Sequence, residues 1–157
     1  MWKPKNDAGG LIVFDGDCVL CCGFFRFVLR HDRAERFSFA LAQSPAGQRL
    51  YRAEGLATES FDTMLVAAQG RVFQRLDAVA AVLRELGGPW RFLALCRFLP
   101  RGVKGALYTL IARNRFRLFG RREACLLPPP DLVRRFAPEG LAGPDGAGAP
   151  APGNLGR

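Results

Sequence analysis

Apolar and polar positions along this chain follow two periods in turn. Residues 11–14 (LIVF) are a continuous apolar run bounded by Gly9-Gly10 and Asp15-Gly16, the mark of a short buried strand. From Cys18 the interval changes. Cys18, Cys21, Cys22, Phe25, Val28 and Leu29 recur at helical spacing, which predicts a helix over 18–31 with Asp17 in the N-cap position. Phe37, Phe39 and Leu41 alternate with Ser38 and Ala40 as a second strand, and Ser44-Pro45 supplies a cap and a first-turn proline for a short helix through Tyr51. Residues 63–68 read as a third strand, Gln69-Gly70 as a turn into RVFQ, and residues 77–86 as a helix stopped by Gly87-Gly88-Pro89. Two more helical stretches, WRFLALCRFL and VKGALYTLIARNRF, are separated by Pro100-Arg101-Gly102.

The order strand, helix, strand, helix, hairpin, helix is that of an α/β domain. Strands separated by helices pair in parallel, and the hairpin adds antiparallel edges, giving a small mixed sheet flanked by helices. A chain of 157 residues is long enough for one domain with its own core. Its expected bounds are 9–127, including the C-terminal basic helices. Residues 138–157 hold six glycines and four prolines with little apolar bulk, and are expected to form a disordered tail.

Composition narrows the class. With 49% apolar and 24% charged residues the chain is of ordinary globular type. It has neither a leader-like apolar segment near its start nor an uncharged apolar run of about 18 residues, so no transmembrane segment is expected and a cytoplasmic setting is the simplest. The 23 Lys and Arg exceed the 14 Asp and Glu to give +9, and ten of those cations lie between Arg84 and Arg122 against one acid. Arg113, Arg115, Arg117, Arg121 and Arg122, interleaved with Phe116 and Phe119, form a candidate anion-binding stretch. A weak anionic partner, nucleic acid or a membrane surface, is therefore weighed beside the plain reading of solvated arginines.

Two motifs compete for the chemistry. An apolar strand followed by Asp15 and Asp17 resembles the first motif of haloacid-dehalogenase-type phosphatases, in which the first acid attacks phosphorus and the second is a general acid. That mechanism also needs a lysine and a later acidic pair to hold a metal. The acids beyond Asp77 are isolated, which makes this the minor alternative. Cys18-Val19-Leu20-Cys21 sits where a strand hands over to a helix. There the helix dipole and unpaired N–H groups favour an anion, so Cys18 suits a nucleophile and Cys21, on the same face, a resolving thiol. Cys22 shares that face and is assigned to packing, with a second resolving thiol as its other reading. Cys96 reads as core, Cys125 as a further exposed thiol, and His31 as a partner for the helix C-terminus. No second CxxC or HxxxH joins these residues, so neither a metal nor an organic cofactor is expected.

The element DGxC-x-x-C after an apolar strand, then FxFALAQS with Gly47, then QGRVF, and finally Tyr108, Asn114, Arg115, Phe116, Phe119 and Gly120 of YTLIARNRFRLFG, resembles the DCC family of predicted thiol-disulfide oxidoreductases over about 11–125. The resemblance implies a thioredoxin-like fold with Cys18 and Cys21 as the redox pair, supported by Asp15, Gly16 and Asp17. Its partner would be a protein or small-molecule disulfide or thiol. Where ordinary thioredoxins carry a cis-proline, this chain has Phe61-Asp62-Thr63. The expected activity is thiol-disulfide exchange; the competing class is a non-catalytic module that presents basic helices to an acidic partner.

Overall fold

The computed structural model describes residues 9–16, 18–59, 61, 63–119 and 130–141. In chain order the elements are β1 (Gly10–Phe14), α1 (Val19–His31), β2 (Ser38–Leu41), α2 (Pro45–Ala53), β3 (Leu65–Ala68), β4 (Arg71–Gln74), α3 (Arg75–Leu86), α4 (Trp90–Leu93), a 3-10 helix (Ala94–Phe98), α5 (Arg101–Phe119) and α6 (Pro130–Val133). The sheet runs β2-β1-β3-β4. β1 pairs with β2 in parallel, Phe14 opposite Leu41, and with β3 antiparallel, Val13 opposite Leu65. This is the mixed, helix-flanked sheet of a thioredoxin-like fold. The β3–β4 hairpin turns through Gln69 (φ 53°) and Gly70 (φ 71°), the pair of positive φ values that matches the twist of two antiparallel strands.

β1 is central and covered on both faces, which is why its sequence is apolar at every position rather than at alternate ones. On one face Ile12, Phe14, Phe39, Leu41 and Val66 meet Phe25 and Val28 of α1 and Ala78 and Val82 of α3. On the other, Leu11, Val13, Ala40 and Leu65 meet Tyr51 of α2. Phe25 anchors α1, stacked 4.9 Å from Phe14 and edge-on 4.7 Å from Phe39.

Two stretches differ from the sequence reading. The helix of the cysteines is capped by Cys18 itself, one residue after the expected Asp17, which lies outside the described residues. The stretch 90–99 is one α-turn followed by 3-10 helix, because prolines bracket it and Leu99, preceding Pro100, is driven to extended backbone (ψ 145°). Cys96 therefore lies half-buried on this short segment rather than in the core. Residues 142–157, most of the expected tail, lie outside the described residues.

A segment with no strand signal closes the sheet. Residues 135–140 run beside the edge strand β2, with Phe39 N–H donating to Arg135 O (2.9 Å), Ala137 N–H to Phe39 O (2.8 Å) and Leu41 N–H to Gly140 O (2.8 Å). An open edge would expose these donors and acceptors to another chain. The segment is pinned by Arg135, whose guanidinium lies 2.6 Å from the buried Asp32 carboxylate and also donates to Phe37 O (3.0 Å). Asp32 in turn accepts from the backbone N–H groups of Arg36 (3.1 Å) and Phe37 (3.0 Å). Among the described residues no helix is long and apolar enough to cross a membrane.

Truncating Arg135 leaves a buried carboxylate without its cation, whereas the neighbouring Arg134–Glu35 pair is exposed. Arg135→Ala is expected to lower stability by about 3–5 kcal/mol, and Arg134→Ala by less than about 1 kcal/mol. Chemical denaturation of the two variants checks the contrast.

Candidate active site

The register of β1 with its neighbours gathers three distant segments at one end of the sheet: Asp15 to Cys22 after β1, Ala42 to Gly47 after β2, and Thr63-Met64 before β3. A tight approach makes this convergence work. A Cβ on Gly47 would lie 2.1 Å from Leu41 O, so only glycine lets α2 start against the end of β2. Ser44 caps that helix, donating to Leu41 O (2.6 Å) and accepting from Gly47 N–H (3.1 Å).

Asp15 is buried, and a buried carboxylate needs donors. Gln43 supplies one through Nε2 at 2.6 Å, while its Oε1 accepts from Gly16 N–H at 3.3 Å. One amide side chain thus holds both the acid and the turn. Cys18 N–H closes on Asp15 O (3.4 Å), which begins the helix, and Ala42 N–H donates to Phe14 O (2.8 Å), fixing the two strand ends together.

Cys18 is the N-cap of α1. Its Sγ accepts the backbone N–H of Cys21 at 3.4 Å, and its carbonyl accepts from Cys22 N–H at 2.9 Å. The sulfur of Cys18 therefore sits at the positive pole of a 13-residue helix whose first turn holds no acid, an arrangement that favours negative charge on sulfur. Cys18 has 0% exposure, however, whereas Cys21 is half-buried and nearer to solvent. Cys22 is buried, its sulfur 3.6 Å from Gly16 O, and it is disulfide-bonded, which corrects its reading as a packing residue or second resolving thiol.

Thr63-Met64, which ends the stretch before β3, is held by two tyrosines. Tyr51 Oη donates to Thr63 O, and Met64 N–H donates to Tyr108 Oη at 2.9 Å. Met64 O accepts from Arg75 N–H at 3.1 Å. The other candidates are dispersed. Arg113 and Arg117 are exposed on α5; the Arg115 side chain, Asp17, Arg121, Arg122 and Cys125 lie outside the described residues. Among the described residues, no three His, Cys, Asp or Glu side chains gather as metal ligands.

A family model described as DCC1-like thiol-disulfide oxidoreductase matches residues 12–121, from β1 through α5. The chain belongs to the DCC1-like family. The chain is similar to the uncharacterized protein YuxK of Bacillus subtilis (strain 168), 38% identical over 82% of this chain and 93% of that protein. A chloroplastic DCC family protein of Arabidopsis thaliana is 32% identical over 78% of this chain and 72% of its own length. No solved structure gives a significant match.

For a DCC1-like protein, then, the resemblance read from sequence had the right segments but left three positions without a role. Gln43 stands within the quoted FALAQS run and Tyr108 opens the late motif; Tyr51 was read only as the end of a helix. Their partners, Asp15, Met64 and Thr63, are far off in sequence, so no local period reports the contacts.

Gln43→Ala removes a donor to a buried carboxylate and an acceptor for Gly16 N–H. It is expected to cost about 1–3 kcal/mol in thermal or denaturant unfolding, with the core otherwise unchanged. Burial pushes the Cys96 thiol up, and Asp77 adds to the effect. Its thiolate is accordingly scarce near neutral pH, and mass-spectrometric alkylation mapping should find Cys96 modified more slowly than a cysteine in an unfolded peptide, with a rate still rising as pH passes the ordinary thiol range.

Proposed function

We propose that this protein is a thiol-disulfide oxidoreductase working through Cys18 and Cys21 on a protein or small-molecule disulfide. The observation that carries the reading is the Cys18 Sγ acting as N-cap of α1 with the Cys21 N–H directed at it. In the reducing direction the Cys18 thiolate attacks one sulfur of the substrate disulfide. That S–S bond breaks, a mixed disulfide forms, and the departing sulfur takes up a proton. Cys21, once deprotonated, attacks Cys18 in the mixed disulfide. The second substrate thiol leaves, and the Cys18–Cys21 disulfide holds the oxidising equivalents until a dithiol reductant returns two electrons and two protons. The exchange calls for no metal or organic cofactor. In a reducing compartment such as the cytoplasm, the pair would be returned to the thiol form after each turnover.

The two cysteines divide the requirements. Helix-pole stabilisation favours Cys18 as nucleophile, while its lack of exposed surface works against direct access by a substrate. The half-buried Cys21 favours the reverse order, with Cys21 attacking and Cys18 resolving. Asp15 and Gly16 serve either order by fixing the turn, and Gln43 fixes Asp15.

Trapping separates these orders. With Cys18 as nucleophile, Cys21→Ser accumulates a mixed disulfide with a model disulfide substrate and Cys18→Ser does not; the reversed pattern assigns attack to Cys21. Wild type is expected to cycle in a dithiol-driven disulfide-reduction assay. If Cys18 and Cys21 both stay thiols under mild oxidant, as read by alkylation mapping, the enzyme reading fails and the non-catalytic module replaces it.

A further inference from the structure

The surface built by α4, the 3-10 helix and α5 departs from what a solvated face requires. Residues 90–119 contain seven Lys and Arg and no Asp or Glu. Yet large apolar side chains stand in solvent there: Phe92 is 75% exposed, Phe98 71%, Leu93 and Leu95 each 56%. On α5 the exposed Val103, Leu107, Leu110, Ile111 and Leu118 fall at i, i+4, i+7, i+8 and i+15, one side of the helix. The flank of that stripe is occupied: Tyr108 reaches Met64, and Lys104 pairs with Asp77 of α3 at 2.7 Å. α5 is thus docked by one side while an apolar stripe on another remains in water. The cations lie among the apolar groups; the Arg97 guanidinium rests 5.1 Å over the Phe98 ring.

Nine large apolar side chains standing in solvent on three successive elements need an occupant. A second copy meeting it face to face would bring seven cations against seven, a repulsion that no acid within the segment offsets. Nucleic acid would answer the charge but not the exposed side chains. Most of these are Leu, Val and Ile, which neither bind phosphate nor stack on bases. A bilayer bearing anionic headgroups answers both, since the apolar side chains enter the acyl boundary while Arg and Lys remain at headgroup level.

We propose that α4, the 3-10 helix and α5 form a platform that docks the protein on an anionic lipid surface. The platform lies on its surface without crossing it, and it is independent of the redox reading because no cysteine of the CxxC pair takes part.

The test is co-sedimentation of the full reduced chain with phosphatidylcholine vesicles prepared with and without phosphatidylglycerol. Binding is expected only to the anionic vesicles and should weaken as salt is raised. Phe98→Ala with Leu110→Ala should weaken it about tenfold by removing apolar insertion, and Arg97→Gln with Arg113→Gln by a similar factor. All four side chains are at the surface, so the variants should fold; circular dichroism and unchanged disulfide-reduction activity verify that. Failure to sediment with anionic vesicles overturns the proposal. So does binding that is indifferent to the apolar pair, which would reduce the effect to charge alone. Self-association in analytical ultracentrifugation that the apolar pair abolishes, without vesicle binding, would make a second copy the occupant. Tight binding to a single-stranded oligonucleotide, again without vesicle binding, would make the partner nucleic acid.

Discussion

A carboxylate is expensive to bury without donors, and this chain buries one at each end of the helix that carries its cysteines. Asp15 precedes α1 and Asp32 follows it. Neither is satisfied by its own surroundings alone: Asp15 takes the Gln43 amide and Asp32 the Arg135 guanidinium, 28 and 103 residues away in sequence. The helix can hold its place only when the rest of the fold has delivered those partners. Its N-terminal pole is thereby tied to the end of β2 and its C-terminal end to the segment that closes the sheet edge. Packing of Phe25 and Val28 supplies most of the burial, but packing alone would tolerate some sliding. The two polar anchors fix the position.

This arrangement explains how a weakly marked motif becomes a site. A thiol at a helix N-terminus is favoured as an anion only if the helix start is rigid and its N–H groups are directed inward. Here Gln43 holds the Asp15-Gly16 turn, Cys18 caps the helix, and Cys21 offers its N–H. The segment across from them, Thr63-Met64, is held from both sides by tyrosine hydroxyls. Tyr51 comes from α2 and Tyr108 from α5, so the C-terminal helices are part of the support for the site. That dependence accounts for a family match that runs through α5 and does not stop at α3.

Features with a local cause were legible in the sequence. The all-apolar LIVF run marked a strand covered on both faces, the Ser44-Pro45 pair marked the start of α2, and Gln69-Gly70 marked a hairpin turn. The helix cap was misplaced by one residue because Asp is the stronger capping type, whereas the chain uses the Cys18 sulfur. What local pattern could not show were contacts between distant segments. Residues 135–140 cover the edge of β2 although RFAPEG contains a proline and no alternating pattern, since its pairing is set by Arg135 and by the unpaired edge it meets. Gln43 stood in the FALAQS run without a role of its own, since nothing within a few positions reveals a carboxylate brought to it by strand pairing. The 3-10 turn at Ala94–Phe98 had the same cause in reverse. Its residues are good helix formers, but prolines on both sides leave too little chain for a regular helix.

The distribution of charge sharpens what sets the chemistry. The described contacts that organise the site come from an amide, two phenols, a serine hydroxyl and backbone groups, while Arg101, Arg113 and Arg117 on α5 are turned to solvent. In many reactive-cysteine sites a neighbouring Lys, Arg or His favours the thiolate directly. Here the favourable field on Cys18 comes from the α1 backbone, and the nearby Asp15 carboxylate works against it. The contribution of the helix pole changes little with salt, because the dipole acts on an adjacent buried atom. A surface bearing seven cations responds strongly. The Cys18 site and the basic helices therefore answer to different conditions, the first to the field of the α1 backbone and the second to ionic strength.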